Sequence, residues 1–387
     1  PDFARGPDGS AIITVPNNKT VPGIPITLYN AAGVQDATFT LTYNPLILTP
    51  SAGGIGDSPA GSTFTMGTIT SIDSTHSTAG FTYHNATAHS GTVVLGDILA
   101  TVPNSAAAIY KTKELLTLSG ITVTGGATVQ AANGIHVDAY LGDVHVTALP
   151  AIDASDALDA ERVASGAASG FSAYTLLDPA IIGNVGQNIS VDAAAVTNLF
   201  SKAVHLAVPR IPTIPAAVTS VGVSGADPTL SLVGAAQANG IVSVAVMLDH
   251  PHPAGSTGMT EAHLAMTYDP SVLSVSAADI TLGSIPGAGW RITSEVDAAT
   301  GQIGINLFNL EGTPITSTQA GTLVNIDFHV VPGAAVAATS VQLVSQATPN
   351  GQRIVTEVDD DQGPLTLSTG VDRVEVAVGR RSRARMR

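Results

Sequence analysis

Apolar and polar residues alternate along several short stretches of this chain. Residues 37–43 read ATFTLTY and residues 323–330 read LVNIDFHV, with an apolar residue at every second position. This period of two predicts β-strands that have one buried face. Turn-forming residues separate the stretches, and short strands punctuated in this way predict a β-sandwich. The Tyr-Asn-Pro step at 43–45 should end a strand, because proline has no amide hydrogen for the ladder.

The pattern changes in the middle of the chain. Apolar residues recur there at helical spacing, at Val196, Leu199, Phe200 and Ala203. They predict a helix that is capped by Ser190 or Asp192. An earlier helix is expected to start at Asp153 and to end near Gly166, and its apolar face is mostly alanine. Three prolines in 209–215 then predict a stiff connector.

An internal repeat joins the two ends of the chain. Residues 41–50 read LTYNPLILTP and residues 266–275 read MTYDPSVLSV, an offset of 225. The same offset relates the glycine-led segments that begin at Gly96 and Gly321. Two blocks in one register indicate two copies of one domain.

The predicted fold class is therefore mainly β, with two β-sandwiches and a small two-helix insert between them. The predicted boundaries are 1–141 for the first sandwich, 142–208 for the helical module, 209–217 for the proline-rich linker, 218–378 for the second sandwich and 379–387 for a basic tail.

Composition narrows the function classes. The 387 residues include 30 acidic and 15 basic side chains, giving a net charge of −15, so nucleic acid is not an expected partner. Cysteine is absent, which excludes thiol catalysis and zinc–thiolate sites. No apolar run approaches the roughly 18 residues of a transmembrane helix. We expect a bacterial protein that is secreted or lies at the cell surface.

The two repeats resemble cohesin domains, the nine-stranded jelly-roll receptors of bacterial cellulosomes. The likeness rests on VPGIPITLYNAAGVQDATFTLTYNPLIL at 21–48 and on GMTEAHLAMTYDPSVLSV at 258–275. The insert resembles a dockerin, the plug that cohesins bind, with repeats GDVHVTALPAIDASDALDAERV from Gly142 and LDPAIIGNVGQNISVDAAAVTNLF from Leu177. The resemblance implies partner binding by cohesin–dockerin pairing.

The resemblance also implies which residues contact a partner. In cohesins, the strand that enters the Tyr-Asp-Pro step bears contact residues seven and five positions before the tyrosine. In dockerins, the two residues before the last loop aspartate do so. The implied contact residues are Asp36 and Thr38 in the first sandwich, Glu261 and His263 in the second, and Ala151, Ile152, Ser190 and Val191 in the insert.

Dockerins carry two calcium loops, and the candidate ligands here are Asp143, Asp153, Asn184, Asn188 and Asp192. A calcium loop of EF-hand type spans 12 residues, with ligands at positions 1, 3, 5 and 12. Asp153 lies ten residues after Asp143, and Asp192 lies eight after Asn184, so both loops are short. A calcium-free helical remnant that needs no cofactor is favoured, and weak calcium binding stays the alternative. Glu357 with the acidic run 359–361 offers either a surface calcium site or, as we favour, a solvated turn.

No catalytic motif accompanies these features, so a non-enzymatic protein is predicted. The leading hypothesis is a protein–protein interaction and assembly subunit that self-associates into fibres or lattices. Contacts would be of cohesin–dockerin type, or would add a strand from 11–15 or 371–378 to a sheet edge. One alternative is a scaffold that recruits other cohesin- or dockerin-bearing proteins. A second is a carbohydrate-binding module, for which Trp290 would be the candidate platform.

Overall fold

β-Strands dominate the secondary structure of this protein, described here from a computed structural model. The structure describes residues 1–9, 11–15, 20–125, 127–145, 151–186, 188, 190–215, 228–234, 237–253, 256–334, 338–360, 363–365 and 367–377. The described residues form two compact units. The first lies within Pro1–Tyr174, Pro179–Gly225 and Gln362–Thr366, and the second within Thr175–Asp178, Ala226–Asp361 and Leu367–Arg387.

The strands follow the chain in this order: β1 Phe3–Ala4, β2 Ile24–Tyr43, β3 Thr49–Gly54, β4 Thr63–Ser71, β5 Ser77–Thr101, β6 Lys113–Val123, β7 Gly134–Val137, β8 Thr229–Gly234, β9 Ile241–Leu248, β10 Glu261–Tyr268, β11 Leu273–Ser274, β12 Ile280–Leu282, β13 Trp290–Asp297, β14 Gln302–Asn309, β15 Gly321–Val330, β16 Ala338–Val344, β17 Gln346–Ala347, β18 Ile354–Val355, β19 Glu357–Asp360, β20 Gly363–Pro364, β21 Ser368–Thr369 and β22 Arg373–Ala377. The α-helices are α1 Ala154–Ala164, α2 Pro179–Gly183 and α3 Ala193–Ala203.

The first unit is built on two long strands. Its sheet runs β1-β7-β6-β2-β5-β3, with β4 also paired to β5. The register of β2 against β5 shifts repeatedly between Leu28 and Asp36. Such bulges bend strands, so one long pair serves both layers of the sandwich. Its core includes the stacked rings of Phe39, Phe64 and Phe81, with Phe81 5.4 Å from each of the others.

The strands of the second unit form two large sheets, whereas those of the first unit form one. One sheet runs β13-β14-β10-β16-β22, with β19 also paired to β10, and the other runs β11-β15-β9-β8-β21. The jelly-roll β-sandwich class predicted from the sequence is confirmed.

Strand pairing confirms the internal repeat. Equivalent strands pair in the same register after the shift of 225 residues. The matching pairs are Leu41–Leu118 and Thr42–Thr117 in the first unit, and Met266–Leu343 and Thr267–Gln342 in the second. β2 ends at Tyr43 and β10 ends at Tyr268, as predicted for the Tyr-Asn/Asp-Pro step.

Helices occur where the insert was predicted to have them. Asp153 caps α1 and Asp192, rather than Ser190, caps α3, each by accepting a hydrogen bond from a backbone N–H in the first turn. The helical module belongs to the first unit, where Ala157 and Ala160 of α1 and Leu199 of α3 are buried. No helix among the described residues has the length and hydropathy needed to cross a lipid bilayer.

Both segments considered for strand addition are already used within their own units. Ile13 and Val15 are buried in the core of the first unit, and the Ile13 N–H donates to the Ala100 carbonyl at 2.9 Å. Near the C-terminus, β22 pairs antiparallel with β16. Residue 378 and the arginine-rich tail 379–387 lie outside the described residues.

The glycines of the repeat occupy crowded positions. A Cβ atom on Gly96 would lie 2.1 Å from Cγ of Phe64, inside the aromatic stack. We expect Gly96→Ala to destabilise the first unit by about 2 kcal/mol, because the ring must move. Gly80 lies on the same strand with open space around the equivalent atom, so Gly80→Ala is the matched control. Urea unfolding followed by far-UV circular dichroism should separate them, and equal stability of the two variants would contradict this packing.

Candidate functional site

Polar side chains line one face of the central strand β10 in the second unit. His263 lies opposite Asn306 of β14 on one side and Glu357 of β19 on the other. Glu261 lies opposite Asp359 of β19. Residues two apart on a strand point to the same face, so the strand register gathers these side chains into one patch. We call Glu261, His263, Glu357 and Asp359 the His263 cluster.

Imidazole and carboxylate atoms converge in the His263 cluster. Nδ1 of His263 lies 2.7 Å from Oδ1 of Asn306. Nε2 lies 3.2 Å from Oε1 of Glu261, and 3.9 Å from both Oε1 of Glu357 and Oδ2 of Asp359. One imidazole nitrogen therefore faces three carboxyl groups.

Burial matters most at Asp359, whose side chain is only 15% exposed. Burial, together with the neighbouring charges of Glu357, Glu261 and Asp360, raises the pKa of Asp359 to about 8. An isolated aspartate has a pKa near 4. Three carboxyl groups thus crowd one imidazole, and the Asp359 carboxyl avoids a further negative charge by keeping its proton at neutral pH.

The corresponding face of the first unit has different chemistry. Asp36 pairs through Oδ1 with Nδ1 of His84 at 2.6 Å, and both side chains are more than half exposed. Thr38 shares a hydrogen bond of 2.6 Å with the hydroxyl of Thr122. A groove of about 370 Å³ runs beside Thr38, with Gly80 in its lining. The two copies therefore share a carboxylate at the first position, Asp36 and Glu261, but differ at the second, where Thr38 corresponds to His263.

The predicted contact residues of the helical module differ in exposure. Ala151 is exposed, Ile152 and Ser190 are half-buried, and Val191 is buried at 6% exposure. In this conformation the Val191 side chain packs inside the first unit. Ala151, Ile152 and Ser190 therefore offer the accessible part of the predicted plug surface.

The first predicted calcium loop is organised by protein hydrogen bonds. Asp143 is buried, its Oδ2 accepts a hydrogen bond of 2.7 Å from the Tyr110 hydroxyl, and its carbonyl accepts one of 3.0 Å from Tyr174. Burial raises the pKa of the Asp143 carboxyl to about 7. The first of these bonds connects the start of the helical module to Tyr110, which precedes β6.

Asp156, on the first turn of α1, joins the two described ends of the same loop. Its Oδ1 accepts backbone N–H groups from Val144 and His145, and its Oδ2 accepts the N–H of Asp153, all at 2.8 Å. A calcium loop directs oxygen ligands at its centre. Here N–H donors from both ends of the loop converge on a fully buried carboxylate. The oxygens of Asp143 and Asp153 meanwhile accept hydrogen bonds from Tyr110 and Ser155.

In the second predicted calcium loop, the candidate ligands form hydrogen bonds with one another. Asn184 and Asn188 bond to each other through side-chain and backbone groups. The Asn188 amide donates to Oδ2 of Asp192, and Oδ1 of Asp192 accepts the N–H of Ala195 at 3.0 Å. The Asn188 carbonyl and the side-chain oxygens of Asn184 and Asp192 therefore already accept protein donors.

Some important groups escape sequence-based reasoning. Asp156 stands three residues after Asp153, in a capping-box position, and that spacing is the signal that could have identified it. The buried Asp138 has no such signal. Trp290, the predicted sugar platform, is only 4% exposed. In the acidic run, Asp359 belongs to the His263 cluster rather than to a solvated turn, and Asp361 lies outside the described residues.

Comparison with known proteins gives a family match within the second unit. Residues 229–362 match the family model of the cohesin domain. The second unit is thus a cohesin-like β-sandwich, and the register match extends the same architecture to the first unit. A search among curated proteins found no match.

Solved cohesin structures are similar to parts or most of the chain. The sixth cohesin of scaffoldin B from Acetivibrio cellulolyticus is 20% identical, with a TM-score of 0.30, and the match covers 40% of this chain and 99% of that one. A non-cellulosomal cohesin from Archaeoglobus fulgidus is 16% identical, with a TM-score of 0.28 and coverages of 40% and 95%. The type II cohesin dyad of the ScaA scaffoldin of A. cellulolyticus is 11% identical, with a TM-score of 0.30 and coverages of 94% and 97%.

Proposed function

We propose that this chain is a non-catalytic interaction and assembly subunit that acts outside the cell or at its surface. The cohesin family match over 229–362 is the observation that carries the proposal. Each unit would bind a protein partner through the polar outer face of β2 or β10. Partners would be other copies of the chain or other proteins with cohesin-like or dockerin-like modules.

The two outer faces support binding of different partners. Asp36 and Thr38 present one carboxylate beside hydroxyl groups, whereas Glu261 and His263 belong to a cluster with three carboxyl groups. Like charges placed opposite each other are unfavourable in an interface, so a partner suited to one face is disfavoured at the other. The duplication would therefore extend the range of contacts rather than double one contact.

Exposed apolar side chains of the helical module support self-association. Phe200 is 42% exposed, Val204 65% and Leu206 60%, all at or just beyond the C-terminal end of α3. Exposed apolar side chains on a small module are suited to burial in a protein contact. A plug on one copy that engages a sandwich on the next makes a contact that does not close on itself, which propagates into fibres or lattices. Strand addition is less suited to this role, because Ile13, Val15 and β22 already serve their own units.

Sedimentation of the whole chain tests self-association. We expect species much larger than the 38.9 kDa chain in analytical ultracentrifugation, and fibres or lattices in negative-stain images. Phe200→Ser with Val204→Ser should shift the distribution towards the monomer. Leu310, which is 69% exposed in the second unit, provides the matched control Leu310→Ser, with no expected change.

A chain that stays monomeric at high concentration would contradict self-association. In that case, capture of a purified dockerin-bearing protein by the monomer would support the scaffold alternative. Loss of that capture in Glu261→Arg, with retention in Leu310→Ser, would locate binding on the β10 face. The carbohydrate alternative has little support because Trp290 is buried.

A further inference from the structure

We propose that the His263 cluster is a binding site for a first-row divalent transition-metal ion such as Zn²⁺. The ligands would be Nε2 of His263 with carboxylate oxygens of Glu261 and Asp359, and Glu357 would add a further oxygen. The site is independent of whether the β10 face binds a protein partner.

Distances within the cluster suit a coordination shell. The ligand atoms of Glu261, His263 and Asp359 all lie within 4.8 Å of one another. Ligands about 2.1 Å from a tetrahedral ion are about 3.4 Å apart. The separations of 3.2 Å and 3.9 Å between His263 Nε2 and the two carboxylates bracket that value. Side-chain adjustments of a few tenths of an ångström would close the shell.

The orientation of the imidazole is a second, independent indication. Nδ1 of His263 donates to Asn306 Oδ1, so Nε2 is the imidazole nitrogen that is left to face the carboxylates. Metal-binding histidines commonly donate their other N–H to an oxygen in this way. One imidazole nitrogen that faces three carboxyl groups forms a site that favours a cation between them. A metal ion supplies that cation and satisfies all four groups together.

The donor set selects the class of metal. One imidazole nitrogen with carboxylate oxygens suits Zn²⁺ and neighbouring transition ions. Calcium and magnesium prefer oxygen ligands alone. Because Glu261 and His263 lie on β10 while Asp359 lies on β19, a bound ion would also crosslink these two strands.

Calorimetric titration of the chelator-treated full chain with Zn²⁺ tests the site. We expect one site that is tighter than the remaining His–Asp surface pairs, and a Zn²⁺-dependent rise in the unfolding temperature reported by Trp290 fluorescence. His263→Gln and Glu261→Gln should each weaken this site at least about tenfold. His329, which pairs with Asp279 at 3.1 Å in the same unit, provides the control His329→Gln, with unchanged affinity.

Two results would overturn the assignment. One is wild-type Zn²⁺ affinity in folded His263→Gln and Glu261→Gln chains, with folding checked by circular dichroism. The other is Ca²⁺ binding at the cluster as tightly as Zn²⁺, since an imidazole nitrogen would then contribute nothing. Cobalt substitution gives a separate readout, because Co²⁺ held by nitrogen and oxygen ligands has a visible absorption that His263→Gln should abolish.

Discussion

Replacing Asp156 by alanine is expected to destabilise the first unit by about 3 kcal/mol or more. The carboxylate is fully buried and accepts the backbone N–H groups of Val144, His145 and Asp153. Removing it leaves three donors without an acceptor, and each unsatisfied buried donor costs about 1–3 kcal/mol. The loop between β7 and α1 would lose the group that organises it.

The single tryptophan makes this effect measurable in one unit. Trp290 lies in the second unit, so its fluorescence reports that unit while far-UV circular dichroism reports both. In urea unfolding, Asp156→Ala should lower the circular dichroism midpoint and leave the fluorescence midpoint in place. Asp159, whose carboxylate pairs with His145 at 2.8 Å and is 21% exposed, provides the control Asp159→Ala, with a loss below about 1 kcal/mol. An unchanged midpoint for Asp156→Ala would show that the loop is held by other contacts.

The same chains test the proposal that the helical module folds without calcium. The Asp156 carboxylate accepts backbone N–H groups from both described ends of the first loop, whereas a calcium ion would be held by oxygen ligands. Adding Ca²⁺ or a chelator should therefore leave the circular dichroism midpoint of the wild-type chain unchanged. A rise of several degrees in the unfolding temperature with Ca²⁺, abolished by Asp192→Asn, would support the calcium alternative at the second loop.

Replacing Asp138 by asparagine is expected to stabilise the first unit at alkaline pH. Asp138 is fully buried, and neither of its carboxyl oxygens has a hydrogen-bond partner. Burial, together with the nearby charge of Glu114, raises its pKa to about 8. Below that pH the folded chain keeps the carboxyl neutral, and above it the fold must hold an unpaired buried charge.

The sign of the pH dependence follows from proton binding. Between about pH 4 and pH 8 the folded state holds a proton at Asp138 that the unfolded chain has released. The free energy of unfolding is therefore not reduced by Asp138 below about pH 4, and it falls as the pH rises from about 4 to about 8. The slope approaches about 1.4 kcal/mol per pH unit.

Unfolding experiments at two pH values isolate this group. At pH 8.5 we expect Asp138→Asn to exceed the wild type by at least about 2 kcal/mol, and at pH 4 the two should agree within about 1 kcal/mol. Asp73 is a suitable control, because hydrogen bonds from Thr75 and His76 lower its pKa to about 2. Asp73→Asn should leave the slope between pH 5 and pH 8 as it is in the wild type. If the unfolding free energy of Asp138→Asn fell with pH as steeply as that of the wild type, Asp138 would be excluded as the source of the pH dependence.

Local patterns predicted the elements of this fold well. The period of two predicted strands over 37–43 and 323–330, which lie in β2 and β15, and the cap residues Asp153 and Asp192 start helices as expected. These features depend on residues that are close together in the sequence, so local patterns reveal them directly. The domain repeat was equally visible, because duplicated strands keep the same order and spacing.

Long-range pairing was beyond such patterns. Asp359 was interpreted with its sequence neighbours as part of a solvated turn, whereas β19 aligns with β10 and brings it to His263. About a hundred residues separate the two, and no local period encodes which strands become neighbours. The carbohydrate hypothesis lost support for a similar reason, since the burial of Trp290 depends on the packing of the whole unit.

By itself, the sequence determined that the protein consists of duplicated β-sandwiches with a helical module, because strand period, turns and helix caps are local. Tertiary structure alone decided that Asp156 joins the two ends of a loop, that the Asp138 carboxyl is buried without a hydrogen-bond partner, and that one histidine gathers three carboxyl groups. Burial and strand register create these environments, and both are properties of the assembled unit rather than of any segment.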